Sequence, residues 1–103
     1  MKTNQYEFDF EKHQKLPTIL FGDRVFTVNN RRSNMKKFEK IMSETVSGEE
    51  QDYLIFECFL GKEAADLITE ADLTIPAIEE LTVILLAAVN GKSVEDMRAQ
   101  MGK

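Results

Sequence analysis

Three kinds of side chain in this sequence have the types needed for chemistry: one cysteine, one histidine, and carboxylates that come in pairs. Cys58 lies inside Tyr53-Leu-Ile-Phe-Glu-Cys-Phe-Leu60, where seven of eight residues are apolar. A reactive thiol needs an electropositive, partly open setting, and the neighbours Glu57 and Phe59 supply none. Cys58 therefore reads as a small core residue of a reducing compartment, with no second cysteine to pair with. His13 stands in a polar stretch, and a metal site would need further His or Cys ligands that the chain does not contain. It reads as a loop histidine. The pairs Glu49-Glu50, Glu79-Glu80 and Glu95-Asp96 all fall at expected helix starts, where the positive end of the helix dipole accounts for them. No nucleophile or second base accompanies them. Gly91-Lys92-Ser93 would fit a phosphate-binding loop only with a glycine at position 86, which is Leu86, and with a strand before it. No catalytic residue, cofactor site or metal ligand is expected, and an enzyme is the disfavoured class.

Charge is the next signal. The 103 residues carry a net −5. Residues 1–48 hold nine Lys or Arg against six Asp or Glu, a local +3, and residues 49–103 hold four against twelve, a local −8. Such asymmetry suits self-association or two contact surfaces of opposite sign, either of which salt would weaken. Its simplest reading is two solvated faces. The basic part centres on Arg31, Arg32, Lys36, Lys37 and Lys40. A basic helix face is the minimum footprint for nucleic acid, but the overall acidity opposes tight phosphate binding. Five Met residues suggest adaptable apolar contact. Arg31, Arg32, Met35, Lys36, Lys37, Met42, Met97 and Met101 are thus the candidate partner-binding residues, with simple core filling the competing account of the methionines.

The elements that position these residues follow from periodicity. With 43% hydrophobic and 30% charged residues, the chain is expected to be one domain over 1–103, frayed at 1–5 and 102–103. No apolar run approaches the ~20 residues of a membrane span, and the first residues lack the apolar core of a signal peptide. Tyr6-Glu-Phe-Asp-Phe-Glu11 alternates aromatic and acid, the period of a half-buried strand. Thr18–Phe21 and Arg24–Val28 flank Gly22-Asp23, a two-residue hairpin turn. That turn pairs Phe21 with Arg24, Leu20 with Val25, Ile19 with Phe26 and Thr18 with Thr27. Both faces carry apolar residues, so helices are expected over one and another chain over the other. With residues 6–10 the sheet would have three antiparallel strands.

Helical spacing follows. Ser33 or Asn34 would cap a helix over about 35–46 with Met35, Phe38, Ile41, Met42 and Val46 inward. Four cations at its start oppose the dipole. Ser47-Gly-Glu-Glu50 has the form of a capping box, and Gly61 a helix stop, so the flanks favour a helix over 49–60. A strand remains open there, with Leu54, Phe56, Cys58 and Leu60 as its apolar face. Gly61 either separates or bends the next helix, over 62–71, with Ala64, Leu67, Ile68 and Ala71. Thr74 and Pro76 start another, with Ile75, Ile78, Leu81, Leu85, Ala88 and Val89 as its stripe, and Asn90-Gly91 closes it. Ser93 starts a last short helix with Val94, Met97 and Met101 inward. The fold class is α+β: a small N-terminal antiparallel sheet, then four to five helices.

This order of signals resembles the tail assembly chaperones of long-tailed bacteriophages and prophages. The resemblance rests on Phe21-Gly-Asp-Arg-Val-Phe-Thr-Val28, the helix with Met35, Phe38 and Ile41, Phe59-Leu-Gly-Lys-Glu-Ala64, and Val89-Asn-Gly-Lys-Ser93. It spans about residues 16–97. It implies a non-enzymatic assembly factor of the bacterial cytoplasm that coats the tape-measure protein, helps recruit tail-tube subunits and is absent from the finished virion. No membrane or cofactor is implied, and the family passes on no catalytic residues. The competing classes are a small nucleic-acid-binding regulator acting through residues 31–40, and a structural tail or head–tail component kept in the particle.

Overall fold

The computed structural model describes residues 5–102. The hairpin forms with the register its turn dictates: strands β1 (Thr18–Phe21) and β2 (Arg24–Thr27) pair Thr18 with Thr27, Ile19 with Phe26, Leu20 with Val25 and Phe21 with Arg24. Gly22 has φ +66 while Asp23 keeps a negative φ, the glycine-first pattern of a type II′ turn. Five helices follow: α1 (Arg32–Glu44), α2 (Glu49–Leu60), α3 (Lys62–Glu70), α4 (Ile75–Asn90) and α5 (Val94–Met101). The class is α+β, a two-stranded antiparallel sheet followed by five helices.

The core is built from one face of the hairpin and the inner sides of α2, α3 and α4. Ile19, Val28, Phe56, Phe59, Ala65, Ile68, Leu81 and Leu85 form its buried cluster. Residues 53–60 are helical, and none of residues 51–60 is exposed. Neighbours on several sides explain why no single apolar stripe could be read there. Phe38 of α1 packs on Phe59 with ring centroids 5.4 Å apart. Ala64 and Ala65 are both buried and small, which lets α3 approach α2 closely. Gly61 links these helices in one residue at φ 95, ψ 164, a conformation open almost only to glycine.

Two sets of polar contacts orient the helices. The first runs through the Asn29-to-Asn34 connector. Asn34 Nδ2 donates to the carbonyls of Asn29 and Cys58, both at 2.8 Å, and the Asn29 amide donates to the Phe59 carbonyl at 2.8 Å. Asn30 Nδ2 donates to the Val89 carbonyl at 3.3 Å. Cys58, Phe59 and Val89 lie in the last turns of α2 and α4, whose carbonyls have no partner within their own helices. The second set clamps α2 to α3. Tyr53 Oη donates to Asp66 Oδ1 at 2.6 Å and Lys62 Nζ to Oδ2 at 2.9 Å. The Tyr53 bond, then the Lys62 bond, hold the Asp66 carboxyl below its usual range. The same bond to Asp66 raises the Tyr53 phenol.

Several expectations need correction. Residues 5–9 form no strand and residues 10–13 form a turn, so no third strand joins the sheet. Alternation marks a strand only where a partner edge is at hand. Here local bonds win: Asp9 Oδ1 accepts from the Lys12 amide at 3.1 Å, and His13 stacks on Phe8 with centroids 4.9 Å apart. Helix α1 starts at Arg32, and neither Ser33 nor Asn34 caps it; Asn34 is buried, its amide committed to the carbonyls above. Because Thr45 is extended, α1 ends at Glu44 and Val46 is 85% exposed instead of packed inward. No capping box forms: Gly48 takes the N-cap position, at φ 139, without a side-chain bond. Gly61 is not in the left-handed helical region. Ile75 and Met101, expected inward, are exposed. At the chain ends, the expected fraying of residues 1–4 and 103 lies outside the described residues, while Gly102 donates its amide to the Arg98 carbonyl at 2.9 Å. Other stops and starts hold: Thr74 Oγ1 accepts from the Ala77 amide, Ser93 Oγ from the Asp96 amide, and Gly91 is left-handed.

Replacing the buried Asn34 with Ala leaves the part-buried Cys58 carbonyl without its donor, and a loss of about 1–3 kcal/mol is expected in urea unfolding. The Asp66 clamp sets a pH dependence. A lowered carboxylate pKa contributes stability above the unfolded value of 3.8, which is lost as pH falls through the folded value. The gap in urea midpoint between wild type and Asp66→Asn is therefore expected to be full at neutral pH and to close below about pH 3.8. Tyr53→Phe should shrink it throughout.

Candidate protein-binding surface

The chemistry-bearing residues come first. Cys58 is half-buried on α2, and its thiol donates to the Asn34 carbonyl at 3.8 Å. Burial pushes its pKa up, against the smaller opposing pulls of Lys37 and the Asn34 bond. Its thiol is held protonated, the opposite of an activated nucleophile. Of the paired carboxylates, Glu80 bonds Arg98 at 2.9 Å, an α4–α5 tie that lowers its pKa. No group of three or more His, Cys, Asp or Glu among the described residues is placed to hold a metal ion. No helix among them is long and apolar enough to cross a membrane.

The eight candidate binding residues do not share one face. Arg31, Arg32, Met35, Lys36, Lys37 and Met42 belong to α1 and its cap, whereas Met97 and Met101 belong to α5, which packs on α4. Arg31, Arg32, Lys36 and Lys37 are exposed, as is Lys40, and none takes part in the ion pairs found among the described residues. Met35 is half-buried and packs against the core cluster, so core filling accounts for it. Met97 is half-buried too, near the Asn90 amide. Met42 and Met101 are exposed and open to contact.

The sheet face expected to meet another chain, and the rings of residues 6–10, which were not among the candidate binding residues, make a further apolar surface. The hairpin buries Ile19 and Phe26 and turns the opposite face outward, leaving Leu20 69% and Val25 63% exposed. The register alone puts this pair on one face and does not say which face the helices cover. Tyr6, Phe8 and Phe10 are also exposed, Tyr6 at 94%. A groove of about 650 Å³ runs between β1 and α4, floored by Leu81, Ile84, Ala87 and Ala88, with Lys92 and Glu80 on its rim. Its size and largely apolar walls suit a peptide segment or a few large side chains.

No protein-family model matches the chain, no curated protein matches its sequence, and no solved structure matches its fold.

The thiol gives a direct check on the geometry. Alkylation of Cys58 by iodoacetamide at pH 8 is expected to run at least ~10-fold slower in the folded chain than in urea. Equal rates would mean that α2 does not hold the thiol against Asn34.

Proposed function

We propose that this chain is a non-enzymatic tail assembly chaperone of a long-tailed phage or prophage. In this reading it acts in the bacterial cytoplasm, keeps apolar stretches of the tape-measure protein in solution, helps recruit tail-tube subunits, and leaves before the virion is finished. One observation supports the reading above others: large apolar side chains stand exposed on separate elements around a closed core. Leu20 and Val25 lie on the sheet, Met42 on α1, Val46 after it, Ile75 at the start of α4 and Met101 on α5. Leu20 and Val25 are cross-strand partners and so make one exposed patch, and an exposed apolar patch marks a contact site. Dispersed contacts suit a client that presents long apolar helices and no single compact epitope. A nucleic-acid-binding regulator is the second reading, favoured by the exposed cations of α1, which form no ion pair among the described residues, and opposed by the net charge of −5.

Co-expression with a tape-measure protein, followed by size-exclusion chromatography with light scattering, tests the proposal. A soluble complex is expected, with the client insoluble alone. Leu20→Ser/Val25→Ser is expected to weaken that complex while leaving the far-UV circular dichroism unchanged. A client that still precipitates beside an unchanged chaperone peak would overturn the reading. Retention of duplex DNA at moderate salt would then favour the regulator, and recovery of the chain in purified particles a structural component.

A further inference from the structure

The free edge of β1 and the aromatic segment before it are complementary. In a two-residue hairpin the residues flanking the turn exchange both backbone bonds, so Phe21 bonds Arg24 and Ile19 bonds Phe26. The Val28 amide donating to the Pro17 carbonyl at 2.8 Å continues that ladder. The amides and carbonyls of Thr18 and Leu20 therefore face away from β2, and they have no backbone partner among the described residues. Such an edge is a template for another strand. Beside it lies the apolar groove against α4.

Residues 6–10 have the pattern of the missing strand. Tyr6, Phe8 and Phe10 would share one face and Glu7 and Asp9 the other. In the single chain residues 5–15 are all exposed. The connector 11–17 is long enough for a return to the chain's own β1, yet the capped turn at residues 10–13, with His13 stacked on Phe8, holds the segment off. On a second copy the arm need not fold back along its own chain, and it pairs once Phe8 leaves His13.

We propose that residues 6–10 of one copy add as a third strand to the β1 edge of a second copy, laying Tyr6, Phe8 and Phe10 into the groove between β1 and α4. Backbone bonds to Thr18 and Leu20 supply the affinity, and the alternating rings supply the specificity. Glu7 and Asp9 then point to the solvent face that carries Leu20 and Val25. Each aromatic buries about 150–250 Å². The six rings of two reciprocally exchanged arms bury about 900–1,500 Å², which with the groove walls they cover reaches the roughly 1,000 Å² that a specific interface needs, and reciprocity closes the assembly as a two-fold dimer. This pairing needs no client and does not depend on the chaperone reading.

Cross-linking between marked chains tests it. Two full-length proteins, both with Cys58→Ser, are mixed under mild oxidation: one carries Phe8→Cys in the arm, the other Ile84→Cys in the groove. A disulfide-linked heterodimer is expected. Adding Tyr6→Ser/Phe10→Ser to the arm chain should cut its yield at least ~10-fold, with circular dichroism unchanged. Light scattering of the unmodified chain should show a dimer that the Tyr6→Ser/Phe8→Ser/Phe10→Ser variant loses. Absence of the heterodimer overturns the proposal. So does a chain carrying both cysteines that closes only within itself, which would place the arm on its own β1.

Discussion

The last carbonyls of α2 and α4 must find donors outside their own helices, and one connector supplies them. Asn34 serves Cys58, the Asn29 amide serves Phe59, and Asn30 serves Val89. An unmet buried carbonyl costs about 1–3 kcal/mol, against about 0.5–1.5 kcal/mol net for an average bond. The penalty for losing these contacts therefore exceeds their average worth, and the connector cannot drift. Because it lies between β2 and α1, it fixes both. The hairpin is held against α4, and α1 is held across α2. The exposed face of each element is thus set by amide donors and helix-end carbonyls as much as by apolar burial.

The same connector resolves an electrostatic conflict. Arg31 and Arg32 stand at the start of α1, where the helix's own dipole disfavours cations by about 0.3–1 kcal/mol each. Yet the adjacent asparagines bond the carbonyl ends of α2 and α4, which are the negative poles of those helices. Two negative ends meet one positive end, and the cations sit where the sum is less hostile than α1 alone would make it. Lys37 lies near the end of α2, close enough to Cys58 to pull its thiol pKa down. A basic face can thus persist without a carboxylate partner among the described residues.

What could be read in the sequence follows from how local each cause is. The hairpin register came out whole, because Gly22 at positive φ fixes the turn and the turn fixes the pairs. Thr74, Ser93 and Gly91 were legible for the same reason: each acts within four residues of itself. The capping box at Ser47 failed because Gly48 adopts a conformation that moves the helix start by one residue. Asn34 was misread as a cap because its partners are Cys58, twenty-four residues away, and Asn29. Local sequence holds no trace of Cys58 as its acceptor. The aromatic segment was misread for the converse reason. Its period is that of a strand, but a strand exists only with an edge to pair with, and within one chain none is reached.

A two-stranded sheet of four-residue strands is marginal in water, and it persists here because α4 covers one face. Folding requires Ile19 and Phe26 on that face and little from the other. Leu20 and Val25 are therefore free of the core, as are the outward amides of β1 and the rings of residues 6–10. A sequence selected for stability alone would put Thr or Lys at such positions, as exposed strands usually do. Beyond the cross-strand contact of Leu20 with Val25, the apolar residues there add little to the fold and cost solubility. Contact at that face, that edge and that arm can therefore be altered while the core is left intact.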